Sequence, residues 1–102
     1  MNGMIIQLVG VTVDDAHQNI RKFGHKDVGW YGLVREPDNP HDPNAVRVVF
    51  AGLFMGYIPK DIAVIMAPEM DAGRFFMAKF VRRREAPYHD TVGLEVEIVE
   101  VP

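Results

Sequence analysis

The amino-acid sequence predicts a mainly β (α+β) fold, a small six-stranded barrel of the OB-like or SH3-like kind with two short helices. Three observations support this class. Six short apolar segments are separated by turn residues, and two further segments carry apolar residues at helical spacing. Strands and helices do not alternate as they do in a parallel sheet built from βαβ units. The length of 102 residues allows one core, so we expect residues 1–102 to form a single domain.

The first predicted strand covers Met4 to Val13, which is rich in β-branched residues and expected to be largely buried. A short helix should follow, because Asp15 and Gln18 have the spacing of a capping box and Gly24 supplies an end. The apolar residues of this helix are Ala16, Ile20 and Phe23.

Residues 28–34 return to strand character, with Trp30 and Leu33 as predicted core contacts. The next segment, Arg35 to Asn44, cannot form regular structure, because it holds three prolines, two asparagines and two aspartates. Proline fixes φ, so we expect this loop to be rigid rather than a flexible linker.

A β-hairpin is predicted next, with its turn at residues 51–52 and its second strand over residues 54–58. The inward face of its first strand is Val46, Val48 and Phe50. Pro59 should begin the second helix and Gly73 should end it, while Pro68 should kink or break it near Met66. The predicted apolar stripe of this helix is Ile62, Ile65, Met66 and Met70.

The last two predicted strands cover Phe75 to Arg84 and Thr91 to Val101. The second of these strands alternates clearly, with Glu95 and Glu97 outward. Its predicted inward residues are Val92, Leu94, Val96 and Ile98. The basic run Arg82 to Arg84 and the acidic C-terminal residues are most simply explained by ion pairs across neighbouring strands.

Composition excludes several classes of protein. The chain has no cysteine, which excludes disulfide scaffolds, thiolate zinc sites and cysteine nucleophiles. It also has no serine, so a serine triad is excluded and we expect no enzyme activity. The net charge of −3 argues against a broad grip on phosphates, so any nucleic-acid site must be local. The N-terminus lacks the features of a signal or membrane segment, and we expect a cytoplasmic, intracellular protein without a membrane partner.

Two stretches, REPDNPHDPNAVRV from Arg35 and MGYIPKDIA from Met55, closely resemble the HIRAN domain family. The family pattern is an Asp/Asn-Pro loop leading into Asn-Ala-hydrophobic, then Gly-aromatic-hydrophobic-Pro before a helix. LVGV at residues 8–11 and DAG at residues 71–73 also suit the family, so the resemblance covers nearly the whole chain. It implies an OB-like barrel that binds single-stranded DNA and holds the free 3′ end beside the Asp/Asn-Pro loop.

Carried over by position, the resemblance implies that Asn39 and Asp42 meet the terminal nucleotide and its hydroxyl, and that His41 stacks on the end base. Tyr57 and Lys60 fall where a polar ring and a lysine reach phosphates. Thr12 and Val13 depart from the family, since they replace an arginine and an aromatic residue that help to hold the strand. The resemblance implies no cofactor. The partners it implies are single-stranded DNA or DNA ends, and a DNA-processing protein.

Chemistry offers further interpretations of the same loop. A carboxylate on a rigid loop can accept a hydrogen bond from a free 3′-hydroxyl, whereas it repels a continuing phosphate. Alternatively, the loop's Asp and Asn side chains satisfy their own backbone as Asx-turns. Asp38, His41 and Asp42 also lie within five residues, but a calcium loop needs a glycine and a distal glutamate that this segment lacks.

Two functions therefore stay open. The first is a nucleic-acid-binding module that recognises single-stranded DNA at a free 3′ end and contributes to DNA repair. This function is favoured by Asn39 and Asp42, which match the family pattern of the loop. The second is a protein-interaction or regulatory adaptor that kept the barrel but lost DNA binding, which Thr12 and Val13 favour.

Overall fold

The computed structural model describes residues 2–85 and 92–102. Its elements follow the predicted order, with strands and helices bounded as follows: β1 (Ile5–Gln7), α1 (Ala16–Phe23), β2 (Trp30–Arg35), β3 (Val46–Phe50), β4 (Leu53–Tyr57), α2 (Lys60–Asp71), β5 (Phe75–Glu85) and β6 (Val92–Val101). The predicted mainly β class with two helices is confirmed.

The strands form one sheet in the order β1-β6-β5-β2-β3-β4, and every pairing is antiparallel. The two edges of the sheet meet beyond β1, where Val9 and Tyr57 exchange backbone hydrogen bonds of 2.9 and 2.8 Å. Gly56 permits this closure, because its φ of 140° is rare for other residues and a Cβ there would lie 3.0 Å from the Val9 carbonyl oxygen. Because this contact is an isolated bridge outside the strands, the barrel is only partly closed.

The barrel is filled by apolar side chains from the strands of the sheet and from both helices. The predicted alternation of β6 is confirmed, since its four inward residues are fully buried. Thr91, the predicted first residue of that strand, lies outside the described residues. The largest fully buried side chains of the described residues include Tyr31, Phe76, Ile20, Met55, Met66, Leu94 and Ile98.

The predicted first strand was too long. Regular pairing covers only Ile5–Gln7, because Gly10 at a φ of 66° turns the chain and residues 11–15 form turns that lead into α1. Val9 and Val13 are consequently exposed rather than buried. The predicted capping box is also absent, since the Asp15 side chain makes no capping hydrogen bond.

Of the two predicted core contacts of β2, Leu33 packs against the core, whereas the prediction of Trp30 was wrong. Tyr31 is 1% exposed and Trp30 is 41% exposed. The register explains this, because Tyr31 pairs with the buried Ala78 whereas Trp30 pairs with the exposed Lys79. The buried tyrosine keeps a partner, since its hydroxyl donates a 2.7 Å hydrogen bond to the Phe23 carbonyl.

Pro68 does not break α2, which continues to Asp71. Pro68 lies on the exposed side, and the carbonyl that loses a partner belongs to Val64, a residue that is 50% exposed. Of the predicted apolar stripe, Met66 is buried and Ile62 and Met70 pack against the core, whereas Ile65 is 56% exposed. The buried residues of this helix are Ala63, Met66 and Ala67.

The expected ion pairs across neighbouring strands are present. Arg82 and Arg84 both contact Glu95 of β6, and Arg74 contacts Glu69 and Glu100. The hydrogen bond from Arg84, together with the charges of Arg84 and Arg82, outweighs desolvation and lowers the pKa of the Glu95 carboxyl. Much of the basic run on β5 is therefore accounted for by pairing within the sheet.

Candidate nucleic-acid interface

A groove of about 360 Å³ lies where the loop of residues 36–45 meets the end of β4 and the start of α2. We call it the loop groove. Five of the six predicted site residues line it together: Asn39, His41, Asp42, Tyr57 and Lys60. Its apolar wall includes Val9, Val13 and Ile58. Residues from three separate parts of the sequence therefore share one concave surface.

Thr12, the sixth predicted residue, is exposed in the turn before α1 and is not among the residues that line the loop groove. Its neighbour Val13 does line the groove and is 46% exposed. The groove therefore has an aliphatic wall at the position where the resemblance implies an aromatic residue.

Glu36, which the sequence analysis did not single out, organises the loop. Its Oε1 accepts hydrogen bonds from Asn39 Nδ2 at 2.9 Å and from the Tyr57 hydroxyl at 2.8 Å. Its Oε2 lies 3.4 Å from an Arg47 guanidinium nitrogen. Burial opposes ionisation of Glu36, but these hydrogen bonds outweigh it and hold the pKa of the carboxyl below its ordinary value. Glu36 thus joins the loop to β3 and β4.

The side chains of Asn39 and Asp42 serve the loop itself. Asn39 Oδ1 accepts hydrogen bonds from the backbone N–H of His41 at 2.8 Å and of Asp42 at 3.1 Å. Asp42 Oδ1 accepts the backbone N–H of Asn44 at 2.9 Å. The Asx-turn alternative is therefore correct for these two residues as a description of their contacts. Asp42 keeps its second carboxylate oxygen, to which the described residues donate no hydrogen bond.

Arg35 fixes the far side of the loop. Its guanidinium donates to the carbonyls of Ala45 at 2.9 Å and Pro43 at 3.0 Å. The same group forms a two-pronged ion pair with Asp71 of α2, at 2.9 and 3.1 Å. Together with Glu36, this arginine holds both ends of the loop, so the loop groove has a rigid wall before any ligand arrives.

Tyr57 is held in position by its neighbours. Burial and the hydrogen bond to Glu36 raise the pKa of its hydroxyl, so Tyr57 stays a neutral donor at physiological pH. Its ring packs edge-on against Phe54 with centroids 5.1 Å apart. Gly10 lies against the same ring, since a Cβ at that position would be 3.2 Å from a Tyr57 ring carbon.

The polar side chains at the mouth of the loop groove remain available for a ligand. Lys60, the first residue of α2, is exposed and makes no hydrogen bond or ion pair with the described residues. The imidazole of His41 is exposed, whereas its backbone N–H is held by Asn39. The groove thus presents a cation, a partly free carboxylate and a planar ring.

Residues 2–85 and 92–102 contain neither the geometry of a metal-binding cluster nor that of a membrane-spanning helix. No three or more His, Asp or Glu side chains there come together as a metal ion would require, including those of the loop. Neither described helix combines the length and apolar character needed to cross a membrane.

Two solved structures share this fold. A crystal structure of a protein from Lactobacillus plantarum has a TM-score of 0.77 at 22% identity and covers 97% of this chain and 93% of that one. The crystal structure of the HIRAN domain of human HLTF has a TM-score of 0.66 at 18% identity and covers 97% of this chain and 74% of that one. At such identities the likeness shows the fold alone.

Among curated proteins, a Fanconi-associated nuclease 1 homolog from Oryza sativa subsp. japonica is 40% identical over 43 residues. That region is 38% of this chain and only 4% of the relative, so the chain spans a small part of that protein's length. The family model described as HIRAN domain matches residues 7–100, which is nearly the whole chain and includes the loop groove. The chain therefore belongs to the HIRAN domain family.

Proposed function

We propose that this domain binds single-stranded DNA and holds a free 3′ end in the loop groove. The coarser class, a DNA-binding module, is supported by membership of the HIRAN domain family and by similarity to a region of a Fanconi-associated nuclease homolog. The single observation that carries the finer proposal is the convergence of Asn39, His41, Asp42, Tyr57 and Lys60 on one groove.

The groove offers a different contact for each part of a terminal nucleotide. Lys60 supplies a positive charge for the last phosphate, and the His41 ring supplies a stacking surface for the end base. The free oxygen of Asp42 can accept a hydrogen bond from the 3′-hydroxyl while the other oxygen stays bonded to the Asn44 N–H. A strand that continues past this point would bring a phosphate against the carboxylate, which is unfavourable.

Asn39 takes a different role in this proposal from the one that the resemblance implied. Its carbonyl oxygen already accepts two backbone hydrogen bonds, and its amide already donates to Glu36. We therefore assign Asn39 to positioning His41 and Asp42. One amide hydrogen of Asn39 remains for a contact with DNA.

The alternative function is a protein-interaction or regulatory adaptor. The specific observation in its favour is the wall beside α1, where Thr12 lies outside the loop groove and Val13 gives no aromatic surface. In either case we propose that the domain binds rather than catalyses. A DNA-processing protein is the partner that would fit a DNA-binding role.

An anisotropy titration separates the two functions. The probe is a 5′-fluorescein trimer of thymidine nucleotides that ends in either a 3′-hydroxyl or a 3′-phosphate. The proposal expects binding that is tighter for the hydroxyl end and weaker at higher salt. With two or three phosphate contacts, the slope of log K against log salt should be about −1.5 to −2. Equal affinity for both ends would refute 3′-end recognition, and a slope near zero would favour the adaptor.

A further inference from the structure

A second cationic surface lies at the end of α1, away from the loop groove. It consists of Arg21, Lys22, Lys26 and Arg83, and we call it the basic pole. Two of these residues end α1, one follows in the next turn, and the fourth lies near the end of β5. The whole chain has a net charge of −3, so four cations at one end mark a clear segregation of charge.

Tertiary contacts bring the basic pole together. The Arg83 guanidinium donates a 3.1 Å hydrogen bond to the Arg21 carbonyl, which joins residues 62 positions apart. Beside this contact is a depression of about 530 Å³ lined by Lys26, His25, Arg83, Glu85 and the half-buried ring of Phe80. A concave cationic surface with an aromatic side chain suits a nucleic-acid strand better than a flat ion-pair network does.

Among the described residues, carboxylates pair with only part of this surface. Glu85 forms one ion pair with Arg83 at 3.2 Å, and Asp27 is the other acid of the adjoining turn. Lys22 and Lys26 make no hydrogen bond or ion pair with the described residues. On the other face of β5, Arg82 and Arg84 share the single carboxylate of Glu95, so that pairing leaves a further positive charge nearby.

The stability of α1 does not account for the whole basic pole. Cations in the last turn of a helix interact favourably with its dipole, which explains Arg21 and Lys22. The effect falls off within one turn, so it does not explain Lys26 in the next turn or Arg83 on β5.

The basic pole and the loop groove lie at opposite ends of α1. Val13, three residues before the helix, lines the groove, and Gly24, the residue after it, lines the depression. Eight helical residues span about 12 Å, a distance that several nucleotides can cover. Asp14 and Asp15 lie at the groove end, but α1 itself contains no acidic residue to repel a strand.

We propose that the basic pole binds the upstream phosphates of the DNA strand whose 3′ end lies in the loop groove. This inference rests on the proposed function and extends it, since it makes the site several nucleotides long and gives the bound strand a direction along α1. Short strands would reach only the groove, and longer strands would reach both surfaces.

The test compares 5′-fluorescein thymidine oligonucleotides of 3 and 12 nucleotides, each with a 3′-hydroxyl, on the wild type and on Lys22→Gln/Lys26→Gln. Each lysine that contacts one phosphate adds about 0.7 to the magnitude of the salt slope, which is roughly fivefold in affinity at 0.1 M salt. We therefore expect the double variant to weaken the 12-mer by up to about 25-fold and to flatten its slope by about 1.4. Affinity for the trimer should stay the same.

Lys26→Gln and Lys79→Gln form a matched pair, because each removes one positive charge from an exposed lysine. Lys79 lies over the Trp30 ring on the outer sheet face, away from the depression. Only Lys26→Gln should weaken the 12-mer. The inference would be overturned if Lys26→Gln and Lys79→Gln changed the affinity for the 12-mer equally. It would also be overturned if the double variant weakened the trimer and the 12-mer equally, or left the affinity for the 12-mer unchanged. Discrimination between 3′-hydroxyl and 3′-phosphate trimers is measured separately, so failure of the proposed function would be recognised independently.

Discussion

The Tyr57 hydroxyl donates a 2.8 Å hydrogen bond to Glu36 Oε1, which ties the last residue of β4 to the first residue of the loop after β2. Asn39 donates to the same oxygen at 2.9 Å and in turn orders the backbone of His41 and Asp42. Two side chains, Tyr57 and Asn39, thus share one carboxylate oxygen. The groove wall and the loop are therefore parts of one hydrogen-bonded unit.

Tyr57→Phe should weaken this unit without removing the aromatic wall. We expect the free energy of unfolding to fall by about 1 kcal/mol, since one hydrogen bond to a partly buried carboxylate is lost. Affinity for the 3′-hydroxyl trimer should fall several-fold because the loop is less ordered. Urea unfolding and anisotropy measure the two effects.

Tyr31→Phe is the matched control for this substitution. It also removes one tyrosine hydroxyl and one hydrogen bond, here to the Phe23 carbonyl at 2.7 Å, but Tyr31 does not line the loop groove. We expect a similar loss of stability with unchanged affinity for DNA. If both variants lower the affinity equally, the Glu36 unit has no special part in binding.

Lowering the pH should protonate Glu36 and so weaken the hydrogen bonds that hold the loop. The pKa of this carboxyl is lowered in the folded protein, so its contribution to stability is fully present above the ordinary glutamate value of about 4.3. That contribution is lost as the pH falls through the lower folded value. NMR signals of the Asn39 side-chain amide, followed as the pH is lowered from 7, should therefore broaden or shift only below the ordinary titration range of a glutamate.

Two variants test this assignment. In Glu36→Gln the Asn39 amide signals should be perturbed already at pH 7 and should lose their response to acid. Glu100→Gln removes another carboxyl whose pKa is lowered, chiefly by its hydrogen bond with Arg74, and that carboxyl is remote from the loop. This control should leave the Asn39 response unchanged. An acid response that survives in Glu36→Gln would contradict the assignment.

Local sequence patterns were sufficient for much of the fold. The alternation of β6 predicts its buried face because one register alone places four large apolar residues inward. Prolines in the loop predict its rigidity, and the Gly56–Pro59 segment correctly predicts the end of β4 and the start of α2. Each of these features depends on residues that are close together in the chain.

Features that depend on distant partners could not be predicted in this way. Trp30 and Tyr31 both suit a buried strand, and the choice between them is made by pairing with β5, about 48 residues later. Glu36 carries no motif, and its role appears only when Tyr57 and Arg47 are brought to it by two strand pairings. Convergence on the loop groove was expected from the resemblance, whereas the bonding of Asn39 within its own loop matches the Asx-turn alternative instead.

Val13→Tyr should strengthen DNA binding by restoring an aromatic surface to the loop groove. Val13 is exposed and lines the groove, so a larger ring can be accommodated without disturbing the core. Stacking of one base is worth about 1–3 kcal/mol, so we expect at least a fivefold gain in affinity for the trimer. Val64→Tyr is the control, because Val64 is similarly exposed on α2 but outside the groove. If Val13→Tyr brings no gain in affinity for the trimer, the bound DNA does not pass beside Val13.

Asp42→Asn should reduce the discrimination between DNA ends more than it reduces the affinity for DNA. Asparagine keeps an oxygen that can accept the Asn44 N–H, so the loop should stay folded, while the negative charge is lost. A hydrogen bond to a charged group contributes about 1.5–3 kcal/mol and one between neutral groups about 0.5–1.5, so binding of a 3′-hydroxyl end should weaken roughly tenfold. Binding of a 3′-phosphate end should tighten, because repulsion from the carboxylate is gone.

The ratio of the two affinities should therefore approach one in Asp42→Asn. Asp38→Asn makes the same change of charge in the same loop, but Asp38 faces a neighbouring depression rather than the loop groove. It should shift both affinities slightly and in the same direction, and Lys60→Gln should weaken both ends alike. Equal weakening of both ends by Asp42→Asn would make this residue a structural cap of its loop. The preference for a 3′-hydroxyl would then have to come from steric closure of the groove by His41 or Tyr57.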